Sequence, residues 1–157
     1  MRAIRRALLI GVISDTHGLM RPEAKEALRG CVAILHAGDI GNAAILDELR
    51  TLAPVTAVRG NNDRERWAAS LPERRIVAQG SANILLAHDR NGLERDAVDG
   101  CDVVVTGHSH QPSVERCGGV LYLNSGSAGP RRFRLPVSVA LLRLSREIEA
   151  QIVELAV

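Results

Sequence analysis

The chain carries five histidines in 157 residues, and two of them, His108 and His110, stand one residue apart in "TGHSHQP" at the end of the run "CDVVV". Neutral imidazole is the commonest side-chain ligand for transition metals, so the pair calls for partners elsewhere. Candidates are present. Asp15 and His17 follow "ALLIGVI" in "SDTHG", and Asp39 follows "CVAIL" in "HAGDIG". Asn61 and Asp63 follow "PVTAV" in "RGNND", and His88 follows "ANILLA" in "HDRNG". Carboxylate, imidazole and amide oxygen without thiolate suit Mn, Fe, Ni or Zn better than calcium. Each residue alone has a structural explanation: Asp15 as a cap, Asp39 and Asn61 as turn formers, His88 as a hydrogen-bonded histidine at the edge of a core. For His36, in "ILHAGD", that explanation is the better one, placing it behind the site. For the rest, five apolar runs that all stop at ligand-type residues favour chemistry. Asp15 and His17 are spaced i, i+2, and an extended backbone there would send both side chains to one side.

The elements that must position these residues are readable as well. Short continuous runs of Val, Ile and Leu bounded by turn residues predict strands buried on both faces. Between the first three lie two helices. "RPEAKEALRG" has Pro22 in its first turn and Gly30 as a stop; "NAAILDELRTLAP" has Asn42 as N-cap and Ile45, Leu46, Leu49 and Leu52 on one face. Strand, helix, strand, helix, strand implies parallel pairing with right-handed crossovers, and ligands bind outside the carboxyl ends of such strands. "RRIVAQGSANILLAH" and "SVERCGGVLYLN" read as hairpins, the second with a Gly118-Gly119 turn, and "VSVALLRL" and "EIEAQIVEL" as further strands. The expectation is an α/β (α+β) fold: one mixed parallel sheet and one largely antiparallel sheet, packed as a sandwich and flanked by helices in four layers.

The totals fit a single domain over residues 1–157, long enough to bury a core without staples. A net charge of +2 and three aromatics (Trp67, Tyr122, Phe133) argue against a membrane or nucleic-acid partner. Cys31, Cys101 and Cys117 form no C-x-x-C pair, which points away from disulfides and zinc knuckles and toward a reducing, cytoplasmic setting. "MRAIRR" before "ALLIGVI" looks like the start of a signal peptide, but no A-x-A-like site follows, so the run is read as a first strand.

The ordered pattern D-x-H, G-D, G-N-x-D, H, G-H-x-H, carried by "ISDTHG", "HAGDI", "VRGNND", "AHDR" and "TGHSHQP" and followed by "LNSGSAGPR", resembles the calcineurin-like metallophosphoesterases, in particular their small bacterial and archaeal phosphodiesterase branch. The resemblance runs from about Ile13 to Arg131. It implies a helix-flanked β-sandwich holding two divalent ions, Mn foremost with Ni, Fe or Zn as alternatives. Asp15, His17 and His110 would hold the first ion, Asn61, His88 and His108 the second, with Asp39 bridging, so that His108 and His110 serve different ions of one pair. It implies a phosphodiesterase acting on a small phosphoester through a metal-bridging hydroxide, with Asp39, Asn61 and Asp63 in the catalytic machinery and Asn61 against the substrate; Arg90, outside the family pattern, is a separate candidate for contacting the substrate phosphate. Two ions roughly 3.5–4 Å apart would polarise the phosphoryl group and activate water. Two departures stand out. Many relatives have "H-G-H" where Asp89 and Arg90 follow His88 here, and Asn62 fills a position that is His in larger phosphatases. Neutral Asn62 supplies no leaving-group proton, which favours esters with good leaving groups. The alternatives are a phosphomonoesterase and, from another class, a protein-interaction scaffold like the retromer subunit that shares this fold with a degenerate site. A homo-oligomer is left open.

Overall fold

The computed structural model describes residues 7–157; residues 1–6, the basic start weighed above as part of a signal peptide, lie outside the described residues. Strand β1 (Leu8–Ile13) is followed by α1 (Pro22–Leu28), β2 (Ala33–His36), α2 (Ala43–Arg50) and β3 (Val55–Ala57). After these come β4 (Arg74–Gln79), β5 (Ala82–Ala87), α3 (Arg95–Val98), β6 (Val103–Thr106), β7 (Ser113–Cys117), β8 (Val120–Asn124), β9 (Ser138–Leu144) and β10 (Ile148–Glu154). Short 3₁₀ turns lie at Arg66–Ala68 and Arg90–Gly92. Both helices read from the sequence form. Asn42 caps α2 by accepting from the Ile45 N–H at 3.3 Å, and Ile45, Leu46 and Leu49 are buried beneath it.

The strands make two five-stranded sheets, in the orders β10-β9-β1-β2-β3 and β4-β5-β6-β8-β7. In the first, β1, β2 and β3 are parallel and β9 and β10 are added antiparallel. The second sheet is mixed, not largely antiparallel as expected. Its centre, β5, β6 and β8, is parallel, and only the edge strands β4 and β7 run the other way. The hairpin β7–β8 folds so that its second strand, not its first, lies against β6. Hairpin pairing is legible in a sequence; which arm meets the rest of the sheet is not.

The continuous apolar runs follow from burial on both faces. On β1, Ile10 and Val12 enter the core between the sheets, whereas Ile13 faces α1 and α2. On β6, Val103 and Val105 enter the same inter-sheet core, whereas Val104 packs outward beside Ala97 and Val98 of α3. The layers are therefore helices, sheet, sheet, and one thin helical layer. Fully burying each such aliphatic side chain is worth about 1.5–3 kcal/mol, so the inter-sheet core holds the two sheets firmly in register. No helix among the described residues is long and apolar enough to cross a membrane.

Candidate metal centre

The carboxyl ends of β1, β2, β5 and β6 open at one pole, and the sequence-selected residues gather there in two triads, Asp15–His17–His110 and Asp39–His88–His108. In each triad the candidate donor atoms lie within 4.8 Å of one another. Each triad draws on both sheets. The loops after β1 and β2 supply Asp15, His17 and Asp39; the ends of β5 and β6 supply His88, His108 and His110.

Asp15 and His17 do not converge through an extended backbone, as expected, but through a left-handed one, with φ 54° and 46°. Asp39, His108 and His110 are left-handed too, at 55°, 70° and 63°. Asp and His tolerate this region better than bulky residues do, yet each still costs on the order of 1–3 kcal/mol. Hydrogen bonds between the β1 and β2 loops hold the turn: the N–H of Asp15 donates to Gly38 O at 3.0 Å, that of His17 to Asp39 O at 3.0 Å and that of Gly18 to Ile40 O at 2.8 Å. Space is equally constrained. A Cβ on Gly60 would land on the Asp39 carboxylate, and one on Gly107 would overlap Ser14 Oγ and the Asp15 carboxylate.

In the first triad, Asp15 is fully buried. Its Oδ2 accepts from Ser14 Oγ at 2.7 Å and from the His108 N–H at 3.1 Å. Its Oδ1 accepts nothing, and neither His17 Nε2 nor His110 Nδ1 has a hydrogen-bond partner. Yet Oδ1 lies 3.4 Å from His110 Nε2 and 3.8 Å from His17 Nε2. Buried polar atoms without partners are costly, and a cation held by Asp15 Oδ1, His17 Nε2 and His110 Nε2 would satisfy the first two of these orphan atoms.

In the second triad, His88 Nδ1 lies 2.8 Å from Ala37 O, which can only accept, so Nδ1 carries a proton and Nε2 is the nitrogen turned toward the triad. That Nε2 is 3.3 Å from Asp39 Oδ2 and 3.3 Å from His108 Nδ1. Asp39 Oδ2 is also 3.8 Å from His17 Nε2, so one carboxylate oxygen faces a histidine of each triad. The donor set of both triads fits divalent transition metals. Burial alone would raise the pKa of Asp39, but the His88 hydrogen bond, the Asn62 N–H and nearby imidazoles outweigh it and hold the carboxyl well below its usual range. Burial likewise opposes ionisation of Asp15, and His110, Ser14 and His88 reverse the sign. Burial works against a charged His88, yet Asp39 and Asp15 raise its pKa.

Five further residues are placed by the structure. Asn62 was read as filling the proton-donor position, but its N–H donates to Asp39 Oδ1 at 2.9 Å and its side-chain amide to Asp39 Oδ2 at 3.0 Å. Asp63, read from the sequence as catalytic, accepts from the N–H groups of Ile40, Gly41 and Gly60 at 2.8–3.1 Å, so its oxygens tie the backbone just after Asp39 to the loop after β3. His36 is fully buried; its Nδ1 accepts from the Gly38 N–H at 3.1 Å, and its Nε2 lies 3.0 Å from Thr16 Oγ1, which donates to Ile40 O. Arg90 does not reach the triads; it pairs with Glu115 at 3.1 Å and lies over the Tyr122 ring at 4.2 Å. Asn61 is exposed on the loop after β3, next to Asn62. Spacing in the sequence gave no sign of the amide clasp on Asp39 or of the Asp63 anchor, because both depend on loops that meet only in the fold.

Comparison with known proteins agrees with this geometry. The profile of the calcineurin-like phosphoesterase superfamily domain matches residues 8–147. The chain is 39% identical over 160 residues to a "Probable metallophosphoesterase" of Methanothermobacter thermautotrophicus, covering 93% of this chain and 92% of that one. It is 29% identical over 137 residues to a phosphodiesterase of Methanocaldococcus jannaschii, covering 74% and 82%. The crystal structure of wild-type Vps29 from Entamoeba histolytica, complexed with Zn²⁺, has a TM-score of 0.70 at 25% identity, covering 94% of this chain and 99% of that one. A helix-flanked pair of mixed sheets, two His/Asp triads at one pole and a profile match over most of the length have one common explanation: the chain belongs to the calcineurin-like phosphoesterase superfamily.

Proposed function

We propose that the protein is a phosphodiesterase that works with two divalent ions, manganese first among them. The observation that carries this is Asp39 Oδ2, set between a histidine of each triad, His17 and His88. In this reading Asp15, His17 and His110 hold one ion and His88, His108 and Asn61 the other, with Asp39 common to both. When bound, such a pair supplies Lewis acidity toward a phosphoryl group and lowers the pKa of coordinated water. The chain's own residues fix the frame. Asn62 clasps both oxygens of Asp39, Asp63 ties the backbone after Asp39 to the β3 loop, and Ala37 O turns His88 so that Nε2 faces inward.

The preference for diesters rests on the phosphodiesterase relative, and Asn62 adds a preference for good leaving groups. The Asn62 amide is neutral and already engaged with Asp39, so it hands no proton to a departing alkoxide. A positioned general acid is typically worth about 10²–10⁴-fold, and esters whose leaving groups depart as anions lose least without one. The test is hydrolysis of an aryl phosphodiester and the matching aryl monoester by chelator-stripped protein, before and after Mn²⁺ is added. Turnover should be absent without metal, return with it and favour the diester; full activity in excess chelator, or faster monoester turnover, contradicts the reading.

The rival is an interaction platform. The Vps29 likeness includes a Zn²⁺ complex, so metal content alone does not separate the two. Turnover does.

A further inference from the structure

Of the triad residues, His108 lines a small hollow of about 190 Å³ that it shares with Asp89, Ser109, Asn124, Arg90 and Tyr122. A second, larger groove of about 590 Å³ runs over the outer face of the second sheet, and Arg90 and Tyr122 line it too. The two residues common to both are the stacked pair, with the guanidinium 4.2 Å from the ring centroid. Glu115 holds the guanidinium from one side at 3.1 Å, and Asp89 caps the turn that carries Arg90 by accepting from the Asn91 N–H at 3.0 Å. Arg90, paired with Glu115 and stacked on Tyr122, therefore forms a planar sill between the hollow beside His108 and the groove.

The groove is built to take an organic group. It offers apolar surface from Leu93, Val98 and Val120, a second guanidinium from Arg95 beside the carboxylates of Glu94 and Asp99, and an open far end at the Gly118-Gly119 turn. Its volume falls within the roughly 300–1,000 Å³ of small-molecule sites. A planar guanidinium stacks on flat rings and donates to their acceptor atoms, which an ammonium group does less well.

We propose that this sill and groove form the subsite for the retained ester group of the substrate, and that it selects phosphodiesters carrying a nucleoside-sized, planar substituent. The proposal rests on the phosphodiesterase reading and adds the substrate class. A monoester would occupy only the pole of the sheets. A diester with a small alkyl group would leave the groove empty.

The experiment compares two diesters with one leaving group, the p-nitrophenyl ester of thymidine monophosphate and methyl p-nitrophenyl phosphate, in the Mn²⁺-loaded full chain. The wild type should favour the nucleoside ester in kcat/KM by about tenfold or more, the scale expected of one base stacked on a planar side chain. Arg90→Ala and Arg90→Lys should both bring that ratio toward one, mainly through KM for the nucleoside ester. A wild-type ratio near one, or a ratio that survives both substitutions, overturns the subsite while leaving the phosphodiesterase reading intact. No turnover of either ester overturns that reading and the subsite with it.

Discussion

Asp63 spends both carboxylate oxygens on the backbone amides of Ile40, Gly41 and Gly60, although its place in "RGNND" suggested chemistry. It is 5% exposed, so water cannot replace those bonds. Hydrogen bonds to charged groups contribute about 1.5–3 kcal/mol, and an amide in place of the carboxylate turns an NH₂ toward donors. Asp63→Asn should therefore lower the stability of metal-free protein by about that amount and slow turnover by loosening Asp39. The control is Asp47→Asn, which breaks the exposed Asp47–Arg50 pair and should cost under about 1 kcal/mol. Urea midpoints measure both; equal losses would show that Asp63 is not an anchor.

At the scale of the elements, the strands were legible because each is buried on both faces and reads as a run of Val, Ile and Leu. The triad residues were legible because Asp or His closes the runs of β1, β2, β5 and β6. The route by which they meet was not. "SDTHG" gives no sign that Asp15 and His17 turn left-handed, since the conformation is imposed by pairing with Gly38, Asp39 and Ile40 of another loop. The turn at Arg90–Gly92 and α3 escaped notice because they are short and mostly polar, with no sustained apolar period. His36, at the end of β2, shows an element holding its neighbour's loop through Thr16. Burial pulls its pKa from 6.5 down to about 4, so the folded ring stays neutral. Its contribution is complete above the unfolded pKa near 6.5 and is lost as pH falls toward 4, at up to about 1.4 kcal/mol per unit. The depressed pKa values of Asp15 and Asp39 act in the same direction but below about pH 4, and the raised pKa of His88 acts oppositely, above 6.5. Urea midpoints in chelator from pH 6.5 to 4.5 should fall less steeply for His36→Asn than for wild type; parallel slopes would contradict a neutral buried His36.

Across the whole molecule, neither sheet owns a metal site. Asp15, His17 and Asp39 hang from the first sheet and His88, His108 and His110 from the second, so each triad is completed only when the inter-sheet core forms. Folding thus sets the spacing of the donors, and metal binding in turn should strengthen the contact between sheets. The central claim is that Asp39 is shared between two ions, and electron paramagnetic resonance of Mn²⁺-loaded protein tests it most directly. Ions that share a carboxylate are spin-coupled. The account predicts two Mn²⁺ per chain with an exchange-coupled spectrum that Asp39→Asn abolishes; a single Mn²⁺ per chain, or two with the spectrum of isolated ions, would contradict it.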